Sequence, residues 1–194
     1  RSEELFSAMD ERVQTPGGSV ANTIAGIGSL GLATGFIGRV RDDELGHFYA
    51  DAMTREGIDF VNAPVAGGEL PTSRTMIFVS PDGERSMNTY LGISSELSSD
   101  DVPNEVAGQA QIMFLEGYLF DKDKGKTAFM EAARDCKAGG GKPGIAISDP
   151  FCVERHRADF LKLIESELSF VIGNEAEIKS LFETDDLEEA LQKT

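Results

Sequence analysis

Between residues 110 and 182 short β-prone apolar runs alternate with longer stretches of helical periodicity, and this alternation constrains the fold more than any other feature. AQIMFL at 110–115, GIAISD at 144–149 and LSFVI at 168–172 read as strands, while 123–138, 153–166 and 175–182 read as helices. Strands separated by helices pair in parallel, because the crossover helix returns the chain to the same sheet edge. The expected fold class is α/β, a mostly parallel sheet flanked by helices.

The first half of the chain is more varied. Residues 19–30 set Val20, Ala21, Ile24, Ala25, Ile27 and Leu30 near helical spacing, with Ser19 as the expected N-cap and Gly31 as the stop. A short buried strand is expected over 33–37, followed by a helix capped by Asp42 or Asp43. That helix carries Leu45, Phe48, Ala52 and Met53 on its apolar face and ends at Gly57. Pro64, Gly67, Gly68 and Pro71 then break the texture, and the β-prone runs 72–79 and 84–91 read as a hairpin closed by Ser80-Pro81-Asp82-Gly83. A small β lid carried on an α/β core is the expected arrangement.

Composition narrows the partners. The 194 residues hold 34 acidic against 18 basic side chains, a net charge of −16 that repels phosphate backbones and excludes nucleic acid. Cys136 and Cys152 have no second Cys or His at metal-ligand spacing, so reduced thiols in a cytoplasmic protein are expected. His47 and His156 fall in charged helical surroundings that suggest a solvated or half-buried role rather than a catalytic one. No apolar run reaches the roughly 18 residues of a membrane span, and RSEELFSAMDER does not have the pattern of a signal peptide. The chain starts at Arg1 without methionine, which reads as part of a longer protein.

Two glycine-rich elements stand side by side in GGSVANTIAGIGSLG, residues 17–31. Gly26-x-Gly28-x-x-Gly31 has the letters of a dinucleotide fingerprint, which requires a strand, a tight turn and then a helix start. Here the letters lie inside a helix and lead out of it towards a strand, so close packing of helix on sheet and a glycine stop explain them better. Gly17-Gly18-Ser19-x-x-Asn22 stands immediately before a helix start, where backbone N–H groups lack intrahelical partners. Asn22, in the first turn, leans back over the glycines, and its amide can both donate to and accept from vicinal hydroxyls. A plain helix start capped by Ser19 is the competing explanation of the same residues.

The second element does not stand alone. Gly17-Gly18-Ser19-x-x-Asn22, continued by Ile37-Gly38-x-Val40-x-x-Asp43-x-x-Gly46, resembles the first signature of the PfkB, or ribokinase-like, kinases. Pro81-Asp82-Gly83-Glu84-Arg85-Ser86 resembles the lid hairpin of that family, and Gly173-Asn174-Glu175-Ala176-Glu177 its Asn-Glu-x-Glu element. Met87–Gly92, Phe114–Tyr118 and Ser148–Phe151 are most similar to adenosine kinases and related bacterial sugar kinases. The resemblance runs in order along essentially the whole chain.

It implies a ribokinase-like core with a β lid and an ATP- and magnesium-dependent kinase that phosphorylates the primary hydroxyl of adenosine. Residues 1–194 would be one incomplete domain, with lid strands within 10–16 and 58–92, and with the first strand and the C-terminal ATP-binding part absent. Gly17, Gly18 and Asn22 would hold sugar hydroxyls, Thr89, Leu91, Tyr118 and Phe151 would line the acceptor pocket, and Arg85 would steady the transferred phosphate. Asn174 and Glu177 would organise Mg2+ beside ATP through water, although their spacing is also that of a helix capping box. The partner is a small nucleoside or sugar, and the protein is expected to be a monomer or a homodimer joined through the lid.

One departure matters. The family's catalytic aspartate stands in a Gly-Ala-Gly-Asp element at a helix N-terminus, where it takes the acceptor proton, and these residues contain no such element. The base is therefore expected beyond Thr194. A sugar kinase acting on ribose, fructose or a keto-deoxy sugar acid is the alternative, and a non-catalytic nucleoside- or sugar-binding module is a more distant one.

Overall fold

The computed structural model describes residues 2–9 and 12–193. The chain divides into two compact units, Arg1–Glu96 and Leu97–Thr194. In the first, α1 (Ser2–Ser7) and α2 (Ser19–Ser29) precede β1 (Gly35–Phe36), α3 (Glu44–Arg55), β2 (Asp59–Phe60) and the strands β3 (Arg74–Val79) and β4 (Arg85–Tyr90).

The core of this unit follows from the helical stripe of α2. Ala21 and Ile24 are buried against Met53 of α3 and Ile58, with Phe36, Tyr49 and Phe60 packed around them. The three rings stand 5.8–6.0 Å apart, centroid to centroid. Each large apolar side chain so buried contributes roughly 1.5–3 kcal/mol, enough to fix α2 and α3 on the parallel pair β1–β2. The α2 cap differs from expectation: Gly18 is the N-cap, with φ 112°, and Ser19 is already helical. For α3 the cap is Asp43, whose extended backbone lets its carboxylate accept from the Gly46 N–H at 2.8 Å. Asp42 instead meets His47 Nε2 at 2.7 Å.

β3 and β4 form the expected antiparallel hairpin, in register from Arg74↔Tyr90 to Val79↔Arg85. The Gly83 N–H donates to the Ser80 carbonyl and the Ser80 N–H to the Glu84 carbonyl, which closes the turn. Met76 is the buried residue of β3, whereas every residue of β4 is exposed. Of the strand expected within 10–16, residues 10 and 11 lie outside the described residues, and 12–16 form no strand.

In the second unit β5 (Ile112–Glu116), β6 (Lys142–Ala146) and β7 (Phe170–Ile172) pair in parallel in that order. Among them run α4 (Asn104–Gln109), α5 (Asp123–Ala138), α6 (Pro150–Ser166), α7 (Glu175–Phe182) and α8 (Leu187–Gln192). Phe120, Phe129 and Phe160 pack around α5 and α6, with Phe120 and Phe160 4.7 Å apart. β6 ends earlier than its apolar run suggests because Ser148 takes a left-handed backbone, φ 75°, and Asp149 caps α6 through the Cys152 N–H at 2.8 Å. With Pro150 as its first residue, α6 starts at 150 rather than 153. The six-residue helices α1, α4 and α8 are too short to show a period in sequence.

Candidate functional site

The residues singled out in sequence fall into two groups, one in each unit. In the first, the N-terminus of α2 is formed by glycine backbone, and no side chain caps it. Gly17, Gly18 and Asn22 are all exposed there. Asn22 N–H closes the first helical turn on the Gly18 carbonyl at 2.9 Å. The turn is held from below by the Tyr49 hydroxyl, which donates to the Gly17 carbonyl at 3.2 Å. Tyr49 escaped the sequence reading. Its signal was the spacing Gly46, Tyr49, Met53, which puts it on the core side of α3 beside the predicted apolar residues.

The competing fingerprint resolves differently along its length. Gly28 sits close to the Thr34 hydroxyl, which a Cβ would meet at 3.3 Å, as expected of a packing glycine. Gly26 and Gly31 face open space, so tight packing does not explain them. Gly31 instead follows the helix end with φ 87°, its N–H on the Gly28 carbonyl at 2.8 Å, as a C-terminal stop. The order is helix and then strand, the reverse of a dinucleotide turn.

On the hairpin, Arg85, Met87 and Thr89 share one face with Val79, Ile77 and Thr75 of β3, since directly paired residues point the same way. The Thr75 and Thr89 hydroxyls lie 3.1 Å apart. Arg85 is exposed, as are Thr89 and Leu91. This face therefore presents a cation at the turn end, two apolar side chains in the middle and a hydroxyl pair towards its base.

In the second unit the parallel strands bring the remaining candidates to one sheet edge, the carboxyl end, where ligands of open α/β sheets gather. Tyr118 follows β5, Phe151 follows β6 at the start of α6, and Asn174 and Glu177 follow β7. Phe151 is 71% exposed and Tyr118 41%, so neither is a core residue. Partial burial, with a hydrogen bond to the Asp149 carboxylate beside it, raises the ionisation of Tyr118 above the usual phenol range. Glu177 is only 7% exposed. Its carboxylate accepts from Asn174 N–H at 3.0 Å and Asn174 Nδ2 at 2.7 Å, and the Asn174 side-chain oxygen accepts from Glu177 N–H at 2.9 Å. The two residues make a complete capping box for α7. Two open surface depressions, one lined by Phe48, Asp51, Thr54 and Arg55 and the other by Ser98, Ser99, Asp100, Lys124 and Thr127, contain none of these candidates.

Residues 2–194 match the pfkB family of carbohydrate kinases. The chain belongs to that family. Its backbone superposes with a TM-score of 0.91 on the structure of an adenosine kinase from Sinorhizobium meliloti, at 43% identity over 98% of this chain and 58% of that one. A probable sugar kinase from Rhizobium etli is similar to the same degree, with a TM-score of 0.91, 40% identity and coverage of 99% and 58%. A fructokinase from Klebsiella pneumoniae is 30% identical over 84% of this chain and 57% of its own length. The chain thus spans less than two thirds of each of these relatives. The α/β fold of this pfkB family chain is that of its ribokinase-like neighbours, including a PfkB protein from Polaromonas at a TM-score of 0.84. No helix among the described residues is long and apolar enough to cross a membrane.

Proposed function

We propose that this chain is the acceptor-binding part of an ATP-dependent kinase that transfers the γ-phosphate to the primary hydroxyl of adenosine, giving AMP and ADP. The observation that carries this reading is the 43% identity, sustained over 98% of the chain, to the Sinorhizobium meliloti adenosine kinase. Gly17, Gly18 and Asn22 hold the ribose hydroxyls at the open N-terminus of α2. Within the first unit Thr89 and Leu91 on the hairpin, and within the second Tyr118 and Phe151 at the sheet edge, are the further residues assigned to the acceptor. The exposure of Phe151 and Tyr118 leaves aromatic surface for a heterocycle or sugar to pack against.

Arg85 steadies the phosphoryl group in transfer, and a charge-assisted contact of this kind contributes roughly 1.5–3 kcal/mol where water is excluded. The base that removes the acceptor proton belongs to a Gly-Ala-Gly-Asp element outside these residues. Asn174 and Glu177 suit Mg2+ only through its water shell, because the carboxylate oxygens of Glu177 already accept from Asn174 and no cluster of three potential ligand side chains exists among the described residues. Bound there, the ion would screen the ATP phosphates.

A sugar kinase is the second reading, favoured by the fructokinase and the 5-dehydro-2-deoxygluconokinase among the relatives. Assaying ADP release by the full-length protein over adenosine, ribose, fructose and a keto-deoxy sugar acid separates the two. Turnover of adenosine at the highest kcat/KM is expected, and turnover of a sugar without adenosine would overturn the nucleoside reading. Absence of turnover with binding retained would favour a non-catalytic module. A cytoplasmic protein, monomeric or joined in pairs through the hairpin, completes the proposal.

A further inference from the structure

We infer that Asp43 and Thr72 are positioning residues for the hairpin, a shared anchor that sets where Arg85 and Thr89 stand. The Asp43 carboxylate is bound on three sides. Its Oδ1 accepts from Gly46 N–H at 2.8 Å and from the Thr72 hydroxyl at 2.7 Å, and its Oδ2 accepts from Thr72 N–H at 2.9 Å. The Thr72 hydroxyl in turn accepts from Arg41 N–H at 2.9 Å, so both its proton and a lone pair are used. Thr72 is 5% exposed, one of two buried polar side chains among the described residues. One carboxylate therefore caps α3 and grips the chain two residues before β3 begins.

The same place holds the strand that leaves the hairpin. Ile93 N–H donates to the Pro71 carbonyl at 2.9 Å. Gly92, with φ 50°, lies so close that a Cβ would stand 2.1 Å from that carbonyl. The loop leading in is fixed too: Arg41 Nε donates to the Leu70 carbonyl at 2.8 Å and its Nη1 to the Val65 carbonyl at 3.2 Å. Further out the hairpin has little support, since β4 is exposed throughout and β3 buries Met76 alone. The angle at which the hairpin leaves the unit is thus decided at Pro71–Thr72. The two hydrogen bonds of Thr72 to Asp43 anchor this point together with the Ile93–Pro71 bond, and the burial of Thr72 shields them from competing water.

The consequence for function rests on the reading that Arg85 and Thr89 meet the substrates. In the full-length enzyme, Thr72→Val removes the hydroxyl at nearly constant volume. It is expected to lower kcat/KM roughly five- to tenfold, the loss of a buried hydrogen bond or two. Amide hydrogen exchange over 74–91 should quicken by a similar factor, while β5, β6 and β7 exchange as before. Thr72→Ser keeps the hydroxyl and should restore both. Asp43→Asn keeps the cap on Gly46 but presents an N–H to that of Thr72, so it should loosen 74–91 as Thr72→Val does, and it serves where the valine variant fails to fold. Unchanged exchange over 74–91 in both Thr72→Val and Asp43→Asn, or a serine variant as loose as the valine one, would overturn the anchor. If Arg85→Ala leaves the kinetics unaltered, the substrate role of the hairpin fails, and the exchange measurement still decides the anchor.

Discussion

Asn174 and Glu177 close on each other's backbone: each side chain accepts the other's main-chain N–H, at 3.0 and 2.9 Å, and a third bond of 2.7 Å joins the side chains directly. The pair is a helix cap complete in itself, and any service to ATP and Mg2+ comes in addition. Substitution can separate the two roles. Asn174→Ala should cost about 1 kcal/mol of stability through the lost cap, read as a lowered Tm. Glu177→Gln retains an acceptor at the capping position and should cost less. Its kcat in the full-length enzyme should nonetheless fall about tenfold or more, with a raised Mg2+ requirement. If only Tm moves, capping is the whole role of Glu177.

Asn22→Ala is expected to act in the opposite way. The side chain is exposed on the first turn of α2, and the core beneath it is supplied by Ala21 and Ile24. Tm should therefore shift little, by less than about 0.5 kcal/mol of stability as for ordinary surface changes. The acceptor KM should rise about tenfold, the effect of losing a hydrogen-bonded pair, with the KM for ATP unchanged. An unaltered acceptor KM in steady-state assays would remove Asn22 from the site.

Asp121 gives the second unit an acid-sensitive joint. It accepts from Arg155 at 3.1 and 3.2 Å and from His156 at 2.6 Å. Burial opposes its charge, but the hydrogen bonds from His156 and Arg155 and their positive charge prevail and hold its carboxyl below the usual range. A carboxyl depressed in the folded state stabilises the fold above its unfolded value of about 4. That contribution is lost as pH falls further, through the folded value. Thermal melts from pH 7 down to pH 3 should show a shallower acid loss for Asp121→Asn than for the parent. Parallel curves would assign the acid sensitivity elsewhere.

Cys152 should be inert in the native protein. Burial pushes its thiol up to about 12, and the nearby Asp121 carboxylate adds to this. At pH 8 only about one thiol in ten thousand would then be the reactive thiolate. Cys136 is also raised by burial. Alkylation followed by mass spectrometry should modify neither residue in buffer at pH 8 and both in guanidinium. Rapid native labelling of Cys152 would show that α6 opens locally around it.

Gly46 is expected to tolerate no side chain. A Cβ there would fall 1.9 Å from the Arg41 carbonyl oxygen and 3.0 Å from the Thr72 hydroxyl. Since the first contact is backbone, relief requires α3 to move, at a cost of roughly 1–3 kcal/mol or more. Gly46→Ala should lower Tm by several degrees, whereas Gly26→Ala, with open space around it, should leave Tm unchanged or raise it. Equal effects in the two variants would contradict the packing described.

Much of the architecture was legible because local patterns carried it. The helices over 123–138 and 175–182 have the bounds their periodicity announced, and Ser80–Gly83 fixed the hairpin by turn chemistry alone. Alternation of strand and helix dictated parallel pairing, whereas the shared sheet edge of Tyr118, Phe151, Asn174 and Glu177 emerged only from the observed order of β5, β6 and β7. Other decisions needed partners distant in sequence. Whether Asp42 or Asp43 caps α3 depended on Thr72, whose hydrogen bonds cross 29 positions of chain. The placement of Tyr49 under Gly17 crosses 32. The early end of β6 came from the left-handed Ser148, a conformation no propensity scale assigns to serine. Of the two glycine elements in 17–31, sequence order alone excluded the dinucleotide turn, because a ligand-binding helix must begin at its glycines rather than end there. Which of those glycines packs, which stops the helix and which stands open was decided by tertiary contacts, since a missing Cβ has meaning only against the atoms that would meet it.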